Sequence, residues 1–102
     1  MAKITVVISY DVKTLPNSHT AFKNELIGLQ WKFDYLGKAL PNTTCYATFE
    51  DGSTTKGAKN TAISDLKTAE TNVKKTITGF VLERYYVVAF EVPPTEIDFW
   101  SI

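Results

Sequence analysis

The chain has 102 residues, of which 44% are hydrophobic, 13% aromatic and 22% charged, a composition that predicts one folded domain over residues 1–102 and argues against a disordered chain. Eleven basic side chains balance eleven acidic ones, so the basic excess typical of a dedicated nucleic-acid binder is missing. No apolar run approaches the roughly 20 residues that span a bilayer, and the first apolar stretch is too short for a secretion signal, so we expect a cytoplasmic protein without a membrane partner.

The first thirty residues predict a strand followed by a helix. In KITVVISYD, residues 3–11, alternate apolar side chains share one face: Ile4, Val6, Ile8 and Tyr10. Val7 makes the other face partly apolar, as is typical of a strand inside a sheet. Asn17 or Ser18 is placed to cap the helix. One apolar stripe then recurs along that helix at spacings of four and three: Phe22, Leu26 and Leu29.

The middle of the chain predicts an antiparallel pair of strands. In WKFDYL, residues 31–36, three aromatic side chains share one face: Trp31, Phe33 and Tyr35. TTCYATFE, residues 43–50, alternates in the same way. One face of this strand would carry Cys45, Ala47 and Phe49, and the other Thr44, Tyr46 and Thr48. The intervening GKALPN has the glycine, proline and asparagine typical of a turn, so we expect the two strands to pair.

A second helix and a last strand complete the pattern. The helix carries an apolar stripe at spacings of four, three and four: Ala62, Leu66, Ala69 and Val73. Its solvent side carries the pair Glu70 and Lys74. FVLERYYVVAFEV, residues 80–92, predicts a long strand that two prolines end. The apolar tail TEIDFWSI, residues 95–102, is expected to pack either on its own domain or on a second subunit.

The order strand, helix, strand, strand, helix, strand predicts a ferredoxin-like α+β fold, an antiparallel sheet with both helices on one face. The opposite face then needs a cover wherever it is apolar. We expect four apolar side chains on that face: Val7, Tyr85, Val87 and Ala89. Because exposed apolar patches usually mark interfaces, we expect a homodimer, most simply a two-fold one.

Asp11, at the end of the first strand, has two interpretations. In the first, it is a polar residue that closes the strand. In the second, the Asp11 carboxylates of two subunits meet across the two-fold axis, where a divalent cation would relieve their repulsion. Such a cation would orient or activate water against a phosphodiester.

The stretch VVISYDV, Val6 to Val12, is followed by a helix and an aromatic-rich hairpin. It resembles the small CRISPR-associated ferredoxin-like protein of the spacer-integration complex and the related virulence-associated protein D group. The shared motif is an apolar first strand that ends in Tyr-Asp, here Tyr10 and Asp11. The resemblance implies a dimeric metal-dependent endonuclease acting on RNA or DNA, with Asp11 as the ligand of Mg²⁺ or Mn²⁺ and Tyr10 shaping the catalytic site.

One departure from that family favours a second hypothesis. CRISPR-associated members have an arginine-rich first helix, whereas residues 12–26 of this chain contain no arginine and the whole chain contains only Arg84. The alternative prediction is a non-catalytic dimeric interaction or regulatory module of the same fold, in which Asp11 is structural.

Three other features have plainer interpretations. His19, the only histidine, is expected at the surface near a helix start rather than as a catalytic base. Cys45, the single cysteine, is expected to be a small buried strand residue. RNA-recognition modules share the predicted element order and stack bases on aromatic side chains of one sheet face. Tyr46 and Phe49 would lie on opposite faces of one strand, which argues against that class.

Overall fold

The computed structural model describes residues 4–35, 37–40, 43–49 and 54–91, and the mixed α+β class is confirmed over this part of the chain. In chain order its elements are β1 (Ile4–Val12), α1 (Ser18–Gly28), β2 (Asp34–Tyr35), β3 (Lys38–Ala39), β4 (Thr44–Phe49), α2 (Thr55–Lys74) and β5 (Leu82–Phe90). The apolar tail, residues 95–102, lies outside the described residues.

A three-stranded antiparallel sheet with the order β4-β1-β5 is the centre of the fold. Val6 of β1 lies opposite Ala47 of β4 on one side and opposite Ala89 of β5 on the other. The first strand therefore lies inside the sheet, as Val7 on its second face indicated. The register between β1 and β5 shifts between Asp11 and Val12, where the strand ends.

Both helices pack against the same side of this sheet, which we call the helix face. Five alternate side chains of β1 point into the core there and are 0–4% exposed: Ile4, Val6, Ile8, Tyr10 and Val12. From α1 come Phe22 and Leu26. From α2 comes a stripe of mostly small side chains: Ala58, Ala62, Leu66, Ala69 and Val73. The predicted helix stripes and the predicted inward face of the first strand are confirmed.

The two helices begin differently. Thr54 caps α2, because its Oγ1 accepts a hydrogen bond from the Gly57 N–H at 2.9 Å. Asn17 precedes α1 with a left-handed φ of 65° and makes no capping bond. Ser18 instead ties the preceding loop, since its hydroxyl donates to the Lys13 carbonyl at 3.0 Å. The predicted side-chain cap of α1 is therefore wrong.

Within the described residues, no helix combines the length and the apolar character that crossing a bilayer requires.

The region after α1 differs from the predicted strand over 31–36. The strand there has only two residues, Asp34–Tyr35, and it pairs with β3 rather than with β4. Gly37, with φ of 79°, turns the chain back between them. One antiparallel bridge, Lys32 with Tyr46, still joins this region to β4, and each N–H donates to the other residue's carbonyl at 2.9 Å. Trp31 is held in the core by its Nε1–H, which donates to Asp65 Oδ2 at 2.9 Å.

The sheet side away from the helices is the open face. Its β1 residues include Val7, Ser9 and Asp11, and their β5 partners in register are Val88, Tyr86 and Arg84. The expected set for this face was therefore mostly wrong. Val7 does lie there, but three others pack against the helix-face core: Tyr85, Val87 and Ala89. Because Val7 pairs with Val88, the even-numbered residues of β5 from Arg84 to Phe90 share the face of Val7.

Candidate functional site on the open sheet face

An aromatic cluster covers the β4 side of the open face. Tyr35 from β2, Leu40 after β3 and Tyr46 from β4 are all buried together, and Val7 packs against them. The rings of Tyr35 and Tyr46 meet edge to face with centroids 5.8 Å apart. Their burial raises the pKa of the Tyr46 phenol. The short hairpin of β2 and β3 thus covers the β4 half of the open face and does not cover the β5 half.

The β5 side of the open face exposes large apolar side chains. Tyr86 is 69% exposed and Val88 is 47% exposed. Within the described sheet β5 is an edge strand, because it pairs only with β1. A nine-residue edge strand that also exposes apolar side chains is the kind of surface that another chain covers.

Asp11 and Arg84 form a charged pair at one end of the same face. They lie directly opposite each other on β1 and β5. The Arg84 Nε–H donates to Asp11 Oδ2 at 2.6 Å, and the side chains are 71% and 51% exposed, respectively. The hydrogen bond to Asp11 and the charge of Asp11 raise the pKa of Arg84. Asp11 therefore has a cross-strand partner that the sequence did not point to.

Tyr10 and Asp11 do not form one site within the chain, because neighbouring strand residues point to opposite faces. Tyr10 lies on the helix face and is 4% exposed. Its ring meets Phe22 and Phe33 edge to face, with centroids 4.9 and 6.4 Å away. Burial raises the pKa of the Tyr10 phenol, and the charge of Cys45 raises it further. The hydroxyl of Tyr10 is a stable proton donor on the far side of the sheet from Asp11.

The resemblance implies a divalent cation at Asp11, so the ligand set around this residue decides whether one chain can hold it. Among the residues that the structure describes, no three His, Cys, Asp or Glu side chains form a group that could bind a metal. Asp11 offers one carboxylate, which already accepts a hydrogen bond from a guanidinium. Mg²⁺ requires near-octahedral coordination by oxygen. The described side chains of a single chain do not fit such an ion.

Sequence reasoning missed a cavity of about 320 Å³ beside the start of α1. His19 and Lys23 of α1 line it together with Tyr10 and Phe33. His19 is exposed, as predicted. The four-residue spacing of His19 and Lys23 was visible in the sequence. That Tyr10 and the segment after α1 complete a cavity around them was not, because it depends on tertiary packing.

Cys45 is buried on β4, as predicted. Burial raises the pKa of its thiol well above the ordinary range. A protonated thiol is a poor nucleophile, so Cys45 belongs to the core rather than to the site.

A scan against protein-family models, a search of curated proteins and a search of solved structures each found no match. The likeness to CRISPR-associated proteins therefore rests on the Tyr10–Asp11 motif and the order of the elements. Proposals for function have to be argued from the geometry of the open face and of the cavity.

Proposed function

We propose that the protein is a non-catalytic interaction module that forms a two-fold homodimer through its open face. The observation that carries the proposal is the exposed strip of Tyr86 and Val88 on β5, beside Val7. In an isolated chain water contacts this strip, and association removes that apolar area from water. A two-fold interface uses the same patch on both subunits, so the strip of one subunit can pack against the same strip of the other.

The arrangement of the strands supports a ferredoxin-like fold for this module. β1 lies between two antiparallel neighbours, and both helices pack on one side. The bridge of Lys32 to Tyr46 sets the segment before β2 beside β4, on the outer edge. A ferredoxin-like sheet has its fourth strand at that edge. Among the described residues of this chain a single bridge lies there, because the chain turns back early at Gly37.

The charges of the open face favour a second copy of this chain as the occupant. Asp11 and Arg84 place one negative and one positive charge side by side. When two such faces meet about a two-fold axis, Asp11 can face Arg84 of the partner subunit, so the surface is complementary to itself. A nucleic-acid backbone would instead meet a carboxylate beside Arg84, the only arginine of the chain.

Charge reversal tests this arrangement. We expect Asp11→Arg and Arg84→Asp each to weaken self-association by about fivefold to tenfold, because like charges then meet in both halves of the dimer. The double variant restores opposite charges and should regain most of the affinity. Dissociation constants from sedimentation velocity measure the effect, and circular dichroism checks the fold.

Lys67→Glu on the exposed side of α2 is the control, since it changes the charge equally but away from the open face. Equal association of the wild type and both single variants would contradict the proposal, and so would a double variant that is no better than the singles.

A second candidate function is a metal-dependent endonuclease, as the resemblance implies. The observation in its favour is the position of Asp11, a carboxylate 51% exposed on the open face at the end of β1. A dimer formed through that face would bring ligands from two subunits to the same region. Tyr10 would act only through packing, because it lies on the opposite face.

A cleavage assay decides between the two functions. Labelled RNA and DNA are incubated with the dimer in Mg²⁺, in Mn²⁺ and in EDTA. A nuclease cleaves only with metal and loses cleavage in Asp11→Asn, while Glu83→Gln, which neutralises another exposed carboxylate of the same sheet, keeps it. The non-catalytic proposal predicts no metal-dependent cleavage by the wild type, and cleavage abolished by Asp11→Asn would overturn it.

A further inference from the structure

The cavity beside α1 borders the helix face at Tyr10 and the aromatic cluster of the hairpin at Leu40. Its volume is about 320 Å³, which is within the range of small-molecule sites. One wall is the first turn and a half of α1, with His19, Thr20 and Lys23. Phe33 and Tyr10 also line the cavity, together with Ala39, Leu40 and Thr43.

The polar lining of the cavity favours an anion. His19 and Lys23, four residues apart, project from the same side of α1. Neither forms a salt bridge with a described carboxylate, and no Asp or Glu is among the described residues that line the cavity. The Lys23 ammonium lies instead 5.3 Å from the centroid of the Phe33 ring. The first turn of α1 carries no acidic side chain that would neutralise its N-terminal dipole.

Tyr10 is an independent observation that points to a ligand. Its side chain is only 4% exposed, and it lines the cavity. Burial keeps the phenol protonated by raising its pKa. A protonated phenol is a hydrogen-bond donor. An acceptor placed in the cavity would receive that hydrogen bond.

We propose that this cavity binds a small organic anion with a phosphate or carboxylate headgroup and a planar or apolar body. The headgroup lies between Lys23 and His19, where an ammonium and an imidazole N–H donate to its oxygens. The Tyr10 hydroxyl donates a hydrogen bond to the ligand from the β1 side of the cavity. The body packs against the ring of Phe33, which lines the cavity next to Lys23.

Isothermal titration calorimetry of the full chain with three probes tests the proposal: phenyl phosphate, benzoate and inorganic phosphate. We expect saturable 1:1 binding of at least one of the two ring-bearing probes, about tenfold tighter than inorganic phosphate, because only those probes bury a ring. The comparison of phenyl phosphate with benzoate identifies the preferred headgroup.

Variants locate the binding site. Lys23→Ala should weaken binding of the preferred probe about tenfold, because a charged donor is lost. Tyr10→Phe should weaken it about threefold, since it removes only a hydroxyl and keeps the ring in the core. Lys67→Ala, an exposed lysine on α2 outside this cavity, is the matched control and should change nothing.

Amide chemical shifts of His19, Thr20 and Lys23 should move on titration, which places the probe even if a variant folds poorly. Absence of saturable binding by all three probes would overturn the proposal. Equal weakening by Lys23→Ala and Lys67→Ala would do the same. None of the residues substituted in this test lies on the open face, so neither outcome bears on the dimer.

Discussion

The two faces of the central strand have opposite characters. On the helix face, five alternate β1 side chains are 0–4% exposed and packed against two helices. On the open face, Thr5 is fully buried at one end, whereas Val7 is half-buried, Ser9 is exposed and Asp11 is 51% exposed. Because every second residue of a strand belongs to one face, a single strand specifies the fold on one side and offers a surface for association on the other. Substitutions on the helix face should therefore change the free energy of unfolding, and substitutions on the open face should change self-association.

The largest effect is expected in the middle of α2. Leu66 is fully buried against the helix face, so Leu66→Ala should lower the free energy of unfolding by about 2–5 kcal/mol. Ile63, three residues earlier, is only half-buried and lies outside that core cluster. Ile63→Ala should cost less than about 1 kcal/mol. Urea unfolding followed by circular dichroism measures both free energies. Equal losses would mean that Ile63 belongs to the core as much as Leu66 does.

Two valines compare the faces directly. Val6 on β1 is 0% exposed on the helix face, whereas Val88 on β5 is 47% exposed on the open face. Val6→Ala should lower the free energy of unfolding by about 2 kcal/mol, and Val88→Ala by less than about 0.5 kcal/mol when the protein is dilute enough to be monomeric. The same urea titration serves for both. A larger loss at Val88 than at Val6 would reverse the assignment of the faces.

The buried thiol of Cys45 makes the stability depend on pH. Burial raises the pKa of the folded thiol above that of the unfolded chain, about 8.5. The stabilisation is therefore fully present below the unfolded pKa and is lost progressively as pH rises from that value towards the raised pKa of the folded thiol. We expect the free energy of unfolding to fall by up to about 1.4 kcal/mol per pH unit above pH ~9.

Cys45→Ala removes this titration, so the difference in stability between wild type and variant should shrink as pH rises from about 8 to about 10. Tyr10 contributes in the same direction, because burial raises its pKa, but its contribution begins only above its unfolded pKa of about 10. A constant difference between the two curves would show that the thiol is not buried as described.

The helix face was largely predictable because burial leaves a local period in the sequence. All four residues of the predicted α2 stripe are buried, and Ala58 extends it by one turn. The predicted stripe of α1 is likewise buried or half-buried. A spacing of three and four depends only on the geometry of one helix, so no knowledge of the remaining chain is needed.

The open face was less predictable because it depends on register between distant segments. The alternation of β5 was correct, but which half of it faces the helices is decided by the pairing of Val7 with Val88. Arg84 is 73 residues from Asp11 in sequence, and no local pattern indicates their contact. The strand over 31–36 was predicted too long, since alternation alone does not reveal where Gly37 turns the chain back.

Sedimentation equilibrium of three proteins tests the central claim, that a second copy covers the open face. Val88 and Ile27 are both 47% exposed, the first on the open face and the second on α1. Val88→Asp and Ile27→Asp thus add the same charge to equally exposed apolar sites. We predict twice the chain mass of 11.4 kDa for the wild type and for Ile27→Asp, and the single-chain mass for Val88→Asp. A wild type that sediments as one chain, or a Val88→Asp variant that remains a dimer, would contradict the claim.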